Sequence, residues 1–420
     1  MEQETNSEII KKGRRAKAAS FDCASIPTER KNRFLSSLSK ALTEEKTAVL
    51  AANEKDLERG AKNGLSAALL DRLKLNDKRI EDIALSLTQL ADLPDPVGEV
   101  LQSWRRPNGL ELSKVRVPFG VIGIIYEARP NVTVDSAAIC FKTGNACLLR
   151  GSSSALDTNL ALVKVIRGTL TKEQLPEDAI QLIEDTRRES IVDLLQASSL
   201  VDCVIPRGGA DLIQFVVRNS VVPVIETGAG NCHLYIDGDA DPEMAISICS
   251  NAKTQRPSVC NAIETVLVHK EWAARNLKSL VTALQSRGVE CRGCEVSRLI
   301  ADSIKRAEES DWATEYLDLI LAVKVVDDVE SAIDHINTYG TRHSEAIISS
   351  SPKSVEKFFS RVDAAALYHN ASTRFTDGFE FGFGAEIDIS TQKLHARGPM
   401  GLAELTSYKY LVRGHGQVRE

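Results

Sequence analysis

Along the first hundred residues the apolar positions recur every three or four places. Phe34, Leu35, Leu38 and Leu42 share one face, and Ile80, Ile83, Ala84, Leu87 and Leu90 repeat the pattern, as amphipathic helices do. Asn76-Asp77 supplies an N-cap for the second of these helices. Pro94-Asp-Pro96 ends it, because proline and the residue before it resist the α conformation. Residues 98–117 then change period. Glu99–Trp104 and Leu110–Val117 alternate around Arg105-Arg-Pro-Asn-Gly109, which predicts a β-hairpin. A two-stranded ribbon is barely stable alone, so it should lie on its own domain or on another subunit.

From Gly120 the pattern alternates strand and helix. Val121–Ile125, Asn145–Leu149, Ile180–Ile183, Leu200–Ile205 and Val222–Ile225 read as buried strands; Val134–Phe141, Asn159–Arg167, Ser190–Leu195 and Leu212–Val217 read as helices between them. This predicts an α/β fold with a doubly wound, mostly parallel sheet that takes ligands at the carboxyl ends of its strands. A second alternating block follows Glu226-Thr-Gly-Ala-Gly230 and runs to Ala364–Tyr368. It is expected to be a second α/β domain. Ser372–Met400 is rich in Gly and Phe, and Thr406–Val412 closes the chain as an added strand.

Composition narrows the function. With 420 residues the chain exceeds what one hydrophobic core serves, so two or more domains are expected. A net charge of −6 without a long basic run argues against nucleic acid or an anionic membrane as partner,. No stretch approaches the roughly 18 unbroken apolar residues of a membrane span. The acidic opening Met1–Ser7 lacks an apolar core, so no secretory signal is expected and cytoplasm is the expected location. The nine cysteines are scattered, mostly in apolar runs, as reduced core thiols are,. Cys291 and Cys294 have C-x-x-C spacing without a second pair or a His cluster. They read as a surface turn after the Leu277–Leu284 helix, not as a zinc site. His233 and His395 read as structural, and no metal is expected.

Cys260 stands apart. It lies between the turn at Pro257 and the strand-like run Ile263–His269, a rigid seam from which a thiol can face a cleft and act as a nucleophile. Burial competes with that reading, since free Cys is among the most buried residue types. Three loops follow strands of the first sheet: Tyr126–Asn131, Arg150-Gly151-Ser152 and Pro206-Arg207-Gly208-Gly209. Together they would suit a dinucleotide, with a helix N-terminus for its phosphates and a cation in the second loop for a 2′-phosphate. No G-x-G-x-x-G fingerprint is present. Glu226 ends a strand before two glycines, where it could be a general base or the cap of a turn.

Four stretches in order, Tyr126-Glu-Ala-Arg-Pro-Asn-Val132, Glu226-Thr-Gly-Ala-Gly-Asn-Cys-His233, Gln255-Arg-Pro-Ser-Val-Cys260-Asn261 and His395-Ala-Arg-Gly-Pro-Met-Gly401, resemble the γ-glutamyl phosphate reductases of the aldehyde dehydrogenase superfamily. The likeness covers nearly the whole chain, including Gly13–Ala18. It departs at Asp388, where a glycine is usual, and at Asp211, where a small residue is common.

The resemblance implies an aldehyde dehydrogenase-like fold: an NADP-binding domain (1–97 and 118–228), a catalytic domain (229–394), and an oligomerisation element of hairpin and C-terminal strand (98–117 and 395–420). It implies NADPH-dependent reduction of L-glutamyl 5-phosphate to glutamate 5-semialdehyde and phosphate, the second step of proline synthesis from glutamate. Cys260 would be the nucleophile, with its backbone amide and either Arg129 or Asn131 holding the oxyanion. Arg129 or Arg256 would suit the departing phosphate. Arg150, Ser152, Gly208, Gly209, Glu226 and Glu315 would bind the cofactor, Arg150 at the adenosine ribose and Glu315 at the nicotinamide ribose. Apart from the resemblance, the Ser372–Phe375 and Phe379–Glu386 segments are where a pocket for the amino-acid end of the substrate is to be sought, because Gly-rich loops often shape pockets. The implied partners are a second copy of the chain and, transiently, the glutamate kinase that makes the acyl phosphate. The rival reading is a hydrolytic semialdehyde dehydrogenase in which Glu226 activates water.

Overall fold

A computed structural model describes residues Ser7–Arg419; the acidic start at 1–6 lies outside the described residues. The chain divides into two compact units between Glu226 and Thr227. The first also takes Phe383–Asp388 and the stretch from Met400; the second is Thr227–Gly382 with Ile389–Pro399.

Five helices open the first unit: α1 (Glu8–Cys23), α2 (Thr28–Glu44), α3 (Lys46–Lys62), α4 (Ala67–Leu73) and α5 (Asp77–Asp92). The expected faces are the buried ones, Phe34, Leu35, Leu38 and Leu42 on α2 and Ile80, Ile83, Ala84, Leu87 and Leu90 on α5. The Asn76 side chain caps α5, accepting the Arg79 N–H at 2.8 Å. Strands β1 (Val100–Arg105) and β2 (Glu111–Pro118) form the hairpin. Its turn needs a left-handed residue, and Gly109 supplies it at φ 88°,.

Next come β3 (Val121–Tyr126), α6 (Pro130–Lys142), β4 (Ala146–Arg150), α7 (Leu156–Lys172), β5 (Ile180–Leu182), α8 (Arg188–Gln196), β6 (Cys203–Arg207) and α9 (Ala210–Asn219). They build a parallel sheet in the order β5-β4-β3-β6. Val121, Ile125, Leu148, Leu194 and Val204 lie in its core. The chain steps outward from β3 to β5 and then returns to β6 on the other side of β3. The loops after β3 and β6 therefore part at a switch point, where such sheets bind ligands.

Val222–Ile225 is not the further strand that its apolar run suggested. It makes one parallel bridge, Val204 with Val224, through Val204 N–H to the Pro223 carbonyl and Ile225 N–H to the Val204 carbonyl. The next rungs would need N–H groups from Pro223 on one side and Pro206 on the other. Proline has none, so the ladder stops.

In the second unit β7 (Cys232–Ile236), α10 (Pro242–Thr254), β8 (Ile263–His269), α11 (Lys270–Gln285), β9 (Glu290–Gly293), α12 (Glu295–Ile300), β10 (Lys305–Arg306), β11 (Ile320–Val326), α13 (Val329–Tyr339), β12 (Ser344–Ile348), α14 (Pro352–Arg361) and β13 (Ala366–His369) follow in turn. The seven strands are parallel, in the order β10-β9-β11-β8-β7-β12-β13. Cys291 is part of strand β9 and buried, not in a surface turn, because the strand alternates Cys291 and Gly293 inward. Cys294 stands before α12 and accepts the Val325 N–H on its sulfur. Two short strands, β14 (Ile389–Ser390) and β15 (Gly398–Pro399), pair with each other. Finally β16 (Thr406–Arg413) returns to the first unit and pairs antiparallel with β2 over its whole length. Among the described residues no helix is long and apolar enough to cross a membrane.

Candidate active site

Cys260 sits where the sequence placed it, in the turn between α10 and β8. Pro257, unable to donate, keeps α10 from running on through this turn. Seven of the nine cysteines are buried, and Cys260 and Cys294 alone keep partial access to solvent. Burial is thus not the fate of this thiol. The turn is held from three sides. Gly230 lies so close that a Cβ there would fall 1.5 Å from the Cys260 carbonyl oxygen, so no other residue fits. Cys232 donates its S–H to the same carbonyl at 3.2 Å. Asn261 donates to the Thr376 carbonyl at 2.8 Å, and its own carbonyl accepts the Thr373 hydroxyl at 2.7 Å.

The site lies off the amino ends of the second sheet: the 255–262 turn leads into β8, the 226–231 loop into β7 and the 314–319 segment into β11. One cation, Arg374, stands by the thiol, and Arg256 neighbours it. The Arg374 Nε donates to Gln255 Oε1 at 2.8 Å. Burial lowers the pKa of Arg374, the neighbouring Arg256 lowers it further, and Cys260 acts in the opposite direction. Glu315 Oε1 accepts the Gly230 N–H at 2.7 Å; burial raises its pKa, while that N–H and Lys253 oppose the rise. Cys260 and Glu315 are thereby joined through one residue, Gly230.

The other predicted residues belong to the first unit. Arg129 is the N-cap of α6, and Asn131 lies inside its first turn rather than in a loop, because proline is favoured at the first helical position. Asn131 donates one of its two amide hydrogens to Asp135 at 3.0 Å. Arg129 keeps solvent contact, yet partial loss of hydration and the nearby Arg207 and Arg72 lower its pKa.

Arg150 is not the free cation its loop position suggested. It is buried, and its guanidinium donates to Ser190 Oγ and to the carbonyls of Gly151, Thr186 and Arg187. A guanidinium at the end of a buried strand meets the carbonyls of the adjacent loop first, since their hydrogen bonds replace the water it has lost. Ser152 caps the short turn 153–155 through the Ser154 N–H at 3.1 Å. The Gly209 N–H at the start of α9 is likewise occupied: it donates to Glu127 Oε2 at 3.1 Å. Gly208 is packed against the same carboxylate, whereas Gly209 faces open space. Arg207 pairs with Asp388, the position where the sequence departs from the family pattern, and Asp211 lies in the first turn of α9. Glu226 is the last residue before the division between the units.

Sequence reasoning missed Arg374 as an individual residue, though it marked its segment. It also passed over Lys253 and Glu264, which form a fully buried ion pair. The signal for Glu264 was there: a carboxylate inside the apolar run Ile263–His269 has to find a partner.

Residues 1–293 match the model of the aldehyde dehydrogenase family. The γ-glutamyl phosphate reductase of Moorella thermoacetica is 59% identical over 413 residues, 98% of this chain and 99% of its own. That of Bacillus cereus (strain AH187) is 56% identical over 414 residues, covering 99% of this chain and all of its own (100%). The crystal structure of γ-glutamyl phosphate reductase from Thermotoga maritima is 48% identical and superposes with a TM-score of 0.97, over 99% of this chain and 100% of that one. An acetylating aldehyde dehydrogenase from Geobacillus thermoglucosidasius shares the fold at 17% identity, with a TM-score of 0.69 over 100% of this chain and 98% of that one.

Proposed function

This chain belongs to the aldehyde dehydrogenase family and, within it, to the γ-glutamyl phosphate reductases, and from that premise we propose that it reduces L-glutamyl 5-phosphate to L-glutamate 5-semialdehyde and phosphate with NADPH, through a thioester on Cys260. This is the second step of proline synthesis from glutamate. The observation that carries the reading is a thiol with solvent access, set in a rigid turn beside Arg374, with Arg256 four residues before it in the chain. Guanidinium charge favours thiolate over thiol and offers fork-like donors to a phosphate.

The Cys260 thiolate attacks the acyl carbon, the carbon–oxygen bond to phosphate breaks, and a thioester remains. Arg374 and Arg256 take up the charge of the departing phosphate. NADPH, when bound, would supply the hydride for reduction of the thioester. Breaking the carbon–sulfur bond then frees the aldehyde and restores the thiolate. The Cys260 amide would hold the oxyanion, with Arg129 or Asn131 as the second donor that the family resemblance implies.

The residues at the first sheet fit a dinucleotide. The switch point lies at β3 and β6, and Gly209 opens on space in which a diphosphate would lie. Glu315 would hold the nicotinamide ribose. Arg150 would act by shaping the 186–187 loop, which its hydrogen bonds fix, rather than by touching a 2′-phosphate.

The test is the reverse reaction with glutamate semialdehyde and NADP+. Oxidation is expected to need phosphate or arsenate, since the thioester must be released to an anion acceptor. Equal rates without either would point instead to the hydrolytic reading, with Glu226 activating water.

We also propose that the β1-β2-β16 sheet joins copies of the chain. Registers place Trp104, Leu112 and Val412, and Lys114 with Tyr410, on one face. Trp104 packs edge-on against Tyr410 at 6.1 Å, and Lys114 lies over the Tyr408 ring at 3.6 Å. Tyr410 and Val412 are still more than half exposed, at 53% and 54%, as a face awaiting a partner would be. Tyr410→Asp is expected to shift the protein toward the 45.9 kDa single chain in light scattering. A wild-type protein already at that mass would remove the proposal.

A further inference from the structure

Buried ion pairs are poor stabilisers, because desolvation offsets their attraction, so the placement of Lys253 with Glu264 calls for another account. Both side chains have no solvent exposure (0% each). Lys253 stands in the last turn of α10, before the thiol turn, and Glu264 near the start of β8, after it. Their pairing ties together the two ends of the turn that carries Cys260.

The second oxygen of Glu264 reaches further. Oε1 accepts the Leu317 N–H at 3.1 Å. Leu317 is held at φ 55°, a left-handed conformation that a leucine keeps only when its surroundings impose it. Two residues earlier is Glu315, bonded to the Gly230 N–H, and Gly230 lies against the Cys260 carbonyl. The contacts close a ring: thiol turn, Lys253–Glu264, the 315–317 segment, Gly230, and the thiol turn again.

We propose that Lys253 and Glu264 are positioning residues for the reaction, locking the thiol turn to the Glu315 segment and holding one cation against the carboxylate that grips the nicotinamide ribose. The inference rests on the reading of Glu315 as that ribose ligand.

Electrostatics agree with the geometry. Burial raises Glu264 to about 7, Lys253 and the Leu317 N–H oppose the rise, and Glu315 adds to it. Lys253 is lowered by burial and supported by Glu264, Asp318 and Cys232; the Tyr316 ring lies 5.9 Å from its ammonium. As pH falls through that range, Glu264 takes a proton. The charge of Lys253 is then left to Glu315. Without Lys253, Glu315 would take its own proton at higher pH, and ribose binding would be lost over a wider acid range.

The experiment is calorimetric titration of the full chain with NADPH across pH. Lys253→Met is expected to weaken binding about tenfold near neutrality, the effect of one nearby charge on a buried carboxylate. The loss should deepen toward acid and fade toward alkali, and Lys253→Arg should restore binding. The double variant Lys253→Met with Glu264→Leu removes the unpaired charge and guards against simple misfolding. It should melt like wild type yet still bind weakly. Wild-type affinity and pH dependence in that double variant would overturn the proposal. Glu315→Gln separates the two layers: unchanged NADPH binding there sinks the ribose reading itself. Weakened binding there, with Lys253→Met unaffected, sinks only the role given to the pair.

Discussion

Cys260→Ala should lower turnover of the acyl phosphate by about 10⁴-fold or more, the scale seen when a covalent nucleophile is removed. The fold should be unaffected, because the side chain is only partly buried and the turn is held by the close approach of Gly230, the Cys232 S–H on the Cys260 carbonyl and the Asn261 side-chain amide on the Thr376 carbonyl. No neighbouring thiol can substitute. Cys232 is the nearest by contact, but burial pushes its pKa well above the ordinary thiol range, and its S–H is bonded to the Cys260 carbonyl. NADPH binding by the variant, measured by calorimetry, should match wild type. Retention of more than a small fraction of the turnover would remove Cys260 as nucleophile.

Arg374→Gln should cost about 10² to 10³ in kcat/KM for the acyl phosphate, as loss of one preorganised charge-stabilising group does. Arg374 has its Nε fixed on Gln255, five residues before the thiol, and its carbonyl lies 3.5 Å from the Asn261 amide nitrogen. Arg374 is therefore tied to both sides of the Cys260 turn, its guanidinium to Gln255 and its backbone to Asn261. Kinetics in the reverse direction tell which anion it serves. If Arg374 takes the phosphate, the KM for phosphate or arsenate should rise and that for the semialdehyde should hold. The opposite split would assign Arg374 to the α-carboxylate of the substrate.

What could be read in advance followed the reach of each signal. Helices α2 and α5, the hairpin and most strands of both sheets were legible, since period, capping and turn residues are local. Val222–Ile225 was misread because its ladder depends on Pro206, sixteen residues away and on the neighbouring strand. The C-x-x-C pair was misread because a short strand buried beside β11 looks, in sequence, like a turn. Cys260 was legible as a seam residue, but its freedom from burial was decided by the packing of Gly230, Cys232 and Asn261.

Arg150 shows the same division in the site. Its position at the end of a buried strand was readable; the four acceptors that surround its guanidinium were not, since three of them lie beyond residue 185. Gly208 and Gly209 were correctly marked as a strand-to-helix turn, yet only the fold brings Glu127 onto the Gly209 amide.

The amino-acid sequence alone therefore determined the α/β architecture, the added C-terminal strand and the family, and singled out the thiol as a candidate, because periodicity, breakers and contiguous motifs are properties of neighbours along the chain. The tertiary structure decided which partner each polar or charged group meets: Arg150 meets the loop carbonyls, Asn131 meets Asp135, Lys253 meets Glu264, and Arg374 meets the thiol turn. The reason is physical. A charge removed from water must be matched by whatever group the fold brings near, and that group is set by packing, not by spacing in the sequence.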